Sequence, residues 1–319
     1  MPVHFIHHQT HYHYSNWVSD SSNQLKLFPK NDQHQKVVSH SLSISGQPKV
    51  FTFEDFFGNE VGFCTQIAPH RELLIDSICQ VEMLTNPVVP RWSPQEVWHE
   101  LTQFKGQHTL LDFLFVEPID SRDEIKGVVS FSNNAHPLDE LVRLSEFIYH
   151  HFEYKKGVTT VETGLDEIWN LRAGVCQDFA HLLLYMMRLA GLPGRYVSGY
   201  ICPGNSEWRG EGATHAWVEA WLPDMGWVGI DPTNKCLAGE RHVRLAVGRN
   251  FVDCTPVKGT YKGSAEHLLT VKVQFRTTNF TTDQLQPVEI NPEQKTRYKS
   301  GVQESYTAYR QRQQQQQQQ

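Results

Sequence analysis

The sequence predicts an α+β fold on three observations. Short segments with period-two alternation fill roughly the first 80 residues, apolar residues at helical spacing mark 138–153 and 176–190, and strand-like runs return from Arg195 onwards. Helices and strands therefore come in blocks, not in the alternation that builds a parallel sheet.

The first block opens with residues 3–15, where Phe5 and His7, then His11 to Tyr14, alternate in places, and continues through 24–28, 37–45 and 50–53. Phe56-Phe57-Gly58-Asn59-Glu60 reads as a turn, after which 61–67 and 73–83 resume extended patterns. Turn signals at such short intervals suggest a β-sandwich-like domain over residues 1–86. A connecting segment, 87–134, starts with a proline-punctuated stretch and offers one helix at 94–104. The core is expected over 135–276. There Leu138, Leu141, Val142, Ser145, Ile148, Tyr149 and Phe152 line one face of a helix at 138–153. A short helix begins after Thr163, read as its N-cap with Asp166 three residues on. A third runs from Cys176 to about Ala190, stopped by Gly191-Leu192-Pro193-Gly194. Strands follow at 195–201, 215–222 and 227–231, with a late one at 268–275. The tail, 277–319, is polar and ends in RQRQQQQQQQ, a low-complexity run expected to be disordered.

Bulk properties narrow the function classes. A net charge of −6 with no Lys/Arg cluster argues against a nucleic-acid partner. No stretch of 18 apolar residues is present, so no transmembrane helix is expected. The start, MPVHFIHHQTHYHY, has no apolar signal region, which makes a cytoplasmic location the expectation. Six cysteines stand at 64, 79, 176, 202, 236 and 254, none in a C-x-x-C pair, so neither a zinc knuckle nor a redox pair is suggested. Most read as buried thiols that act as small hydrophobes.

Cys176 differs from the other five. A thiol becomes a good nucleophile when it ionises, and a helix N-terminus or a neighbouring imidazole favours that anion. Cys176 follows the turn Ala173-Gly174-Val175 and opens the apolar helical run QDFAHLLLYMMRLAG. His181 lies five residues along the same helix and points about 140° away, so it cannot serve the thiol. His215 opens the strand HAWVEAWL directly after the glycine-rich loop 204–212, a junction where functional side chains are often held. Asp231 ends the next strand, GWVGID, before a proline. Register decides whether these two meet. If Trp221 pairs with Trp227, Trp217 lies opposite Asp231, and His215 is its diagonal neighbour on the same face. A loop one residue shorter would put them on opposite faces.

The segments LRAGVCQDFAHLLLYMMRLAGLPGRYVSGY, ATHAWVEAWLPDMGWVGIDPTN and RHVRLAVGRNFVD resemble the core of bacterial transglutaminase-like proteins, often described as cysteine proteases. The strand-rich start resembles the N-terminal domain that accompanies that core in bacteria, and together the resemblance spans about residues 1–275. It implies a papain-like core with the cysteine helix packed on an antiparallel sheet. It also implies Cys176 as nucleophile, His215 as general base and acid, and Asp231 as the group that orients the imidazole. A peptide or protein amide would be the substrate, attacked to give a thioester, with no cofactor and no metal. Water completing the reaction makes a peptidase or amidase; a lysine amine makes a transglutaminase. A non-enzymatic scaffold would predict a broken triad, and all three residues are present. One oxyanion donor is the backbone N–H of Cys176; Asn170, or a nearby tyrosine or tryptophan, could be the other.

Other features have plainer readings. His4, His7, His8, His11 and His13 fit the polar face of an edge strand better than a metal site. Trp217, Trp221 and Trp227 read as hairpin packing, and Asp178 as a first-turn carboxylate suited to the helix dipole. Residues 204–212, including Trp208, read as a substrate-facing loop.

Overall fold

The computed structural model describes residues 1–84, 89–104, 108–204, 208–276 and 296–298. Five strands come first: β1 (Val3–Leu25), β2 (Gln35–Ile44), β3 (Phe51–Glu54), β4 (Glu60–Gln66) and β5 (His70–Met83). Helices follow as α1 (Pro94–Phe104), α2 (His108–Leu111), α3 (Arg122–Val128) and α4 (Pro137–His151). A two-residue strand β6 (Glu153–Tyr154) then leads to α5 (Leu165–Leu171), β7 (Ala173–Gly174) and α6 (Cys176–Leu189). Strands β8 (Gly194–Ile201), β9 (Ala213–Leu222), β10 (Gly226–Asp231), β11 (Cys236–Leu237) and β12 (His242–Gly248) come next. Last are α7 (Phe251–Cys254), β13 (Val257–Lys262), β14 (His267–Arg276) and β15 (Thr296–Tyr298). The mixed α+β fold is as the sequence predicts.

Three details differ from the sequence reading. Residues 3–15 and 24–28 are not separate strands, because β1 runs unbroken to Leu25. Its first half lies between β5 and β14, and its second half pairs with β4 and β13. A register shift between His13 and Val18, and a left-handed Asp20 (φ 48°), bend the strand where these environments change. The intervening Ser, Asp and Asn residues have poor strand propensity, and ladders on both sides override it. Second, the late strands β13 and β14, expected within the 135–276 core, pair with β1 in the first sheet and not with the sheet of β8 to β12. Third, Gly164, not Thr163, is the N-cap of α5; Thr163 Oγ1 instead accepts the Thr160 N–H at 2.8 Å. Of the polar tail, β15 pairs with β14, and the glutamine run lies outside the described residues.

The second sheet is antiparallel, in the order β11-β10-β9-β8-β12. Helix α6 is apolar nearly all round, and Phe179, Leu182, Leu183, Met186 and Met187 are fully buried, as expected of a helix inside a core. That core also takes in Leu141, Leu144 and Ile148 of α4, Trp169 of α5, and Ala216, Val218 and Ala220 of β9. A second core joins the two sheets: Ile6, Leu73, Ile75 and Val81 pack with Tyr200, Val243 and Leu245.

Strand β12 ends the second sheet, so its outer backbone edge would be left open. Two buried side-chain amides from the first sheet's region close it. Gln35 Nε2 donates to Arg244 O (2.9 Å) while Gln35 Oε1 accepts from Arg244 N (2.7 Å). Asn59 does the same with Val247, at 2.7 and 2.8 Å.

On the sheet face opposite α6, Glu219 is fully buried between Arg195 (Nε to Oε2, 2.7 Å) and Arg244 (Nε to Oε1, 2.6 Å). Burial pushes this carboxyl up, but Arg195 and Arg244 outweigh it and hold it near about 2. Removing one partner of such a buried group strands the others, so Glu219→Ala should cost about 3 kcal/mol, read from the urea midpoint. The contribution is complete above the unfolded carboxyl value of about 4.3 and fades as pH falls towards about 2. Wild type should therefore lose stability over that window faster than Glu219→Ala. Parallel pH curves would show that the pair contributes nothing.

Candidate active site

Cys176 is the first residue of α6 and is half-buried. The segment before it is held by short β pairing: β6 and β7 run parallel, with Tyr154 against Gly174. Val175, extended at φ −119°, is the N-cap. Asp178 reaches back to it, its Oδ2 accepting the Val175 N–H and the Thr159 hydroxyl, both at 2.7 Å. Asp178 is thus a helix cap, as its first-turn position suggests. Gly174 is required here, because a Cβ at this position would lie 2.6 Å from Asp178 Oδ2.

The hairpin register is the one that brings His215 and Asp231 to one face. Trp227 pairs with Trp221 and Ile230 with Val218, which sets Asp231 against Trp217. His215 Nε2 lies 2.9 Å from Asp231 Oδ2, and both residues are buried. The Asp231 carboxylate accepts five hydrogen bonds. Oδ1 takes the backbone N–H groups of Thr233 (2.9 Å) and Asn234 (3.3 Å). Oδ2 takes Asn234 Nδ2 (2.8 Å), His215 Nε2 (2.9 Å) and His242 Nε2 (3.2 Å). Burial opposes its charge, yet the two imidazoles hold the carboxyl far below its ordinary range. Burial likewise disfavours a charged His215, but the Asp231 carboxylate and then Cys176 raise it to about 10.

The second ring nitrogen of His215, Nδ1, is buried and finds no hydrogen-bond partner among the described residues. Gly210 (φ +75°) closes over it, and a Cβ there would lie 3.2 Å from Nδ1 and 3.3 Å from the Tyr154 hydroxyl. Two potential proton donors therefore face the small space that Gly210 leaves, and Cys176 bears electrostatically on both. The phenol of Tyr154 is pushed up by burial and then by Cys176 and Asp231, so it stays a neutral donor. Asn170, the named alternative, sits on the exposed side of α5.

The loop from Trp208 to Gly212 is tied down. Arg209 N donates to Asn234 Oδ1 (2.8 Å), Trp208 N donates to Glu211, and Arg241 stacks on Trp208 at 3.8 Å while pairing with Glu211 at 2.8 Å. His181, excluded by helix geometry, instead accepts the Phe251 N–H at 3.1 Å. Trp217 packs with Val197 and Val247, and Trp227 lies against Phe113.

Among the described residues, one group of three ligand-type side chains converges: His215, Asp231 and His242, with their ligand atoms within 4.8 Å of one another. It does not suit a metal ion. His242 Nδ1 accepts the Gly239 N–H at 3.2 Å, so Nε2 must carry the proton it donates to Asp231. The N-terminal histidines lie on a central strand, not an edge strand. Asp76 and Glu72 of β5 engage three of them: His7 with Asp76, and His11 and His13 with Glu72. His8 bonds Tyr200 and Thr10, and His4 donates to Glu240 O.

Comparison with known proteins places this architecture. Residues 128–232 match the transglutaminase-like superfamily core, and residues 5–82 match the bacterial transglutaminase-like N-terminal region. The chain belongs to the transglutaminase-like superfamily. An uncharacterized protein of Mycobacterium tuberculosis is 33% identical over 286 residues, covering 83% of this chain and 90% of that one. A Pseudomonas aeruginosa protein-glutamine gamma-glutamyltransferase is 36% identical over 97 residues, 28% of this chain and 14% of that protein. The fold also resembles a crystal structure from Cytophaga hutchinsonii, described as a candidate cysteine protease, with a TM-score of 0.65 and 21% identity over 88% of this chain and 92% of that one. Among the described residues no helix is long and apolar enough to cross a membrane.

The site makes a chemical prediction. Burial pushes Cys79 and Cys236 up to about 12 and raises Cys64, Cys202 and Cys254. Iodoacetamide at neutral pH should therefore modify Cys176 well before any of them, as read by peptide mass mapping. Gly210→Ala, which sets a methyl group against His215 Nδ1, should slow that reaction by at least about tenfold. Equal labelling of Cys236 and Cys176 would remove Cys176 as a distinctive nucleophile.

Proposed function

We propose that the protein is a cysteine-nucleophile hydrolase that cleaves a peptide or peptide-like amide through a thioester on Cys176. The observation that carries this is His215, held by Asp231 through Nε2 while Nδ1 stays without a partner. An imidazole oriented in this way can take a proton from a thiol and return it to a leaving amine.

In this reading the helix N-terminus and His215 together favour the anionic sulfur. Its attack on the carbonyl carbon forms the C–S bond and places negative charge on the carbonyl oxygen. The first N–H of α6, at Cys176, and the Tyr154 hydroxyl are the donors for that oxyanion. Collapse breaks the C–N bond as the His215 proton passes to the departing nitrogen. Water then attacks the thioester, His215 takes its proton, and the acid and the thiol are released. The extent of two similarities favours hydrolysis over amine transfer. The candidate cysteine protease from Cytophaga shares both units of the chain, whereas the glutamyltransferase shares only 97 residues. That shared stretch also supports a second reading, in which an amine replaces water at the thioester.

Peptide amides incubated with and without a fluorescent primary amine would separate the two. Free acid as the main product in the presence of amine is expected; amine incorporation as the main product would establish the second reading. Cys176→Ala should abolish both reactions, and an alanine variant with full activity would rule out thioester chemistry. Tyr154→Phe should lower kcat by about 100-fold with little change in KM.

A further inference from the structure

We infer that His242 is a fourth, positioning member of the triad, which draws on part of the Asp231 charge and confines the mobile proton to His215. The inference rests on the proposed thiol chemistry but on residues outside the matched core, which ends at 232. His242 opens β12, is fully buried, and donates through Nε2 to the same Oδ2 that His215 uses, at 3.2 and 2.9 Å.

A carboxylate between two imidazoles could in principle share a proton with either. The backbone breaks the symmetry. His242 Nδ1 accepts the Gly239 N–H (3.2 Å), so a second proton on this ring would have to displace that hydrogen bond. The Nδ1 of His215 has no such partner. The imidazolium formed when Cys176 ionises therefore resides on His215. The charged and titratable groups acting on His242 are Asp231, His215 and Arg244, the last ion-paired with Glu219. The rings of Trp217 (5.2 Å between centroids, T-shaped at 75°) and Trp208 (5.6 Å, tilted at 46°) pack against its imidazole. Burial and the His215 and Arg244 charges all keep it neutral, against the pull of Asp231.

The second donor also has a chemical consequence. Each hydrogen bond into Oδ2 takes up some of the carboxylate's charge and weakens its hold on the His215 proton. His215 must keep that proton beside the thiolate but give it up to the departing nitrogen, so that the neutral ring can then accept a proton from water. Without His242, Asp231 is shared with one ring fewer, and His215 becomes more basic.

Two conservative variants separate positioning from a structural role. Asparagine at 242 can accept the Gly239 N–H but cannot reach Asp231; glutamine can place an N–H where Nε2–H lies. The rate of Cys176 alkylation by iodoacetamide, followed from pH 5 to 11 on the full chain, reads the His215 proton through its alkaline limb. His242→Asn should move that limb up by at least about half a pH unit, roughly threefold in proton affinity. His242→Gln should keep the wild-type profile. A wild-type profile in His242→Asn, or the same shift in both variants, would overturn the inference. Failure of wild-type Cys176 to react ahead of the other thiols would instead reject the thiol chemistry itself.

Discussion

A carboxylate without solvent exposure is among the costliest groups a protein can bury, and the Asp231 charge is supported only because five donors converge on it. Much of the surrounding structure is arranged to supply them. The turn after β10 gives two backbone N–H groups and the Asn234 amide. The hairpin register gives His215, and β12, two strands beyond β9 in the sheet, gives His242. The same Asn234 side chain accepts from Arg209, so the loop that brings Gly210 over His215 is fastened to the carboxylate it covers. Electrostatics, hairpin register and loop position are thus one constraint, and a change in any of them reaches the others.

The thiol side of the site depends on a different device, a helix start built with no side chain at its N-cap that could accept a hydrogen bond. Val175 cannot cap α6, so Asp178 does so from inside the first turn, steadied by Thr159. This fixes the backbone at Cys176 without placing a cap residue in front of the sulfur. The parallel pair β6 and β7 brings Tyr154 alongside Gly174 at the same time. One short piece of sheet therefore sets both the approach to Cys176 and a hydroxyl for the space it faces.

The parts of the site legible in the sequence are those with local signals. Cys176 opens a strongly apolar helical run, His215 lies at the start of a strand after a glycine-rich loop, and Asp231 precedes a proline; each can be read from a few neighbours. The hairpin register was only narrowed by the sequence: the short loop left two pairings open, and the Trp221–Trp227 pairing that joins His215 to Asp231 is read from the strands themselves. Tyr154, Gly210 and His242 carry no comparable mark. Tyr154 lies on a two-residue strand with no periodicity, and His242 gains its meaning from a carboxylate on another strand. The same limit applies to the fold. Strands β13 and β14 are plain as extended segments, but only tertiary pairing assigns them to β1. The polar run from Ser19 to Asn23 lies between the expected strands 3–15 and 24–28 without a strand signal of its own, because its backbone bonds, and not its side chains, make it strand.

The paired amides of Gln35 and Asn59 give the N-terminal sheet a role as a molecular terminator. A β-ladder ends cleanly when its last strand meets groups that satisfy its hydrogen bonds and carry no strand of their own beyond. Each amide presents one donor and one acceptor, copying a single peptide unit and then stopping. Detached from that sheet, the second sheet would offer β12 to any passing chain as a template for growth. Custody of this edge fastens the two sheets to each other through four hydrogen bonds that belong to neither ladder.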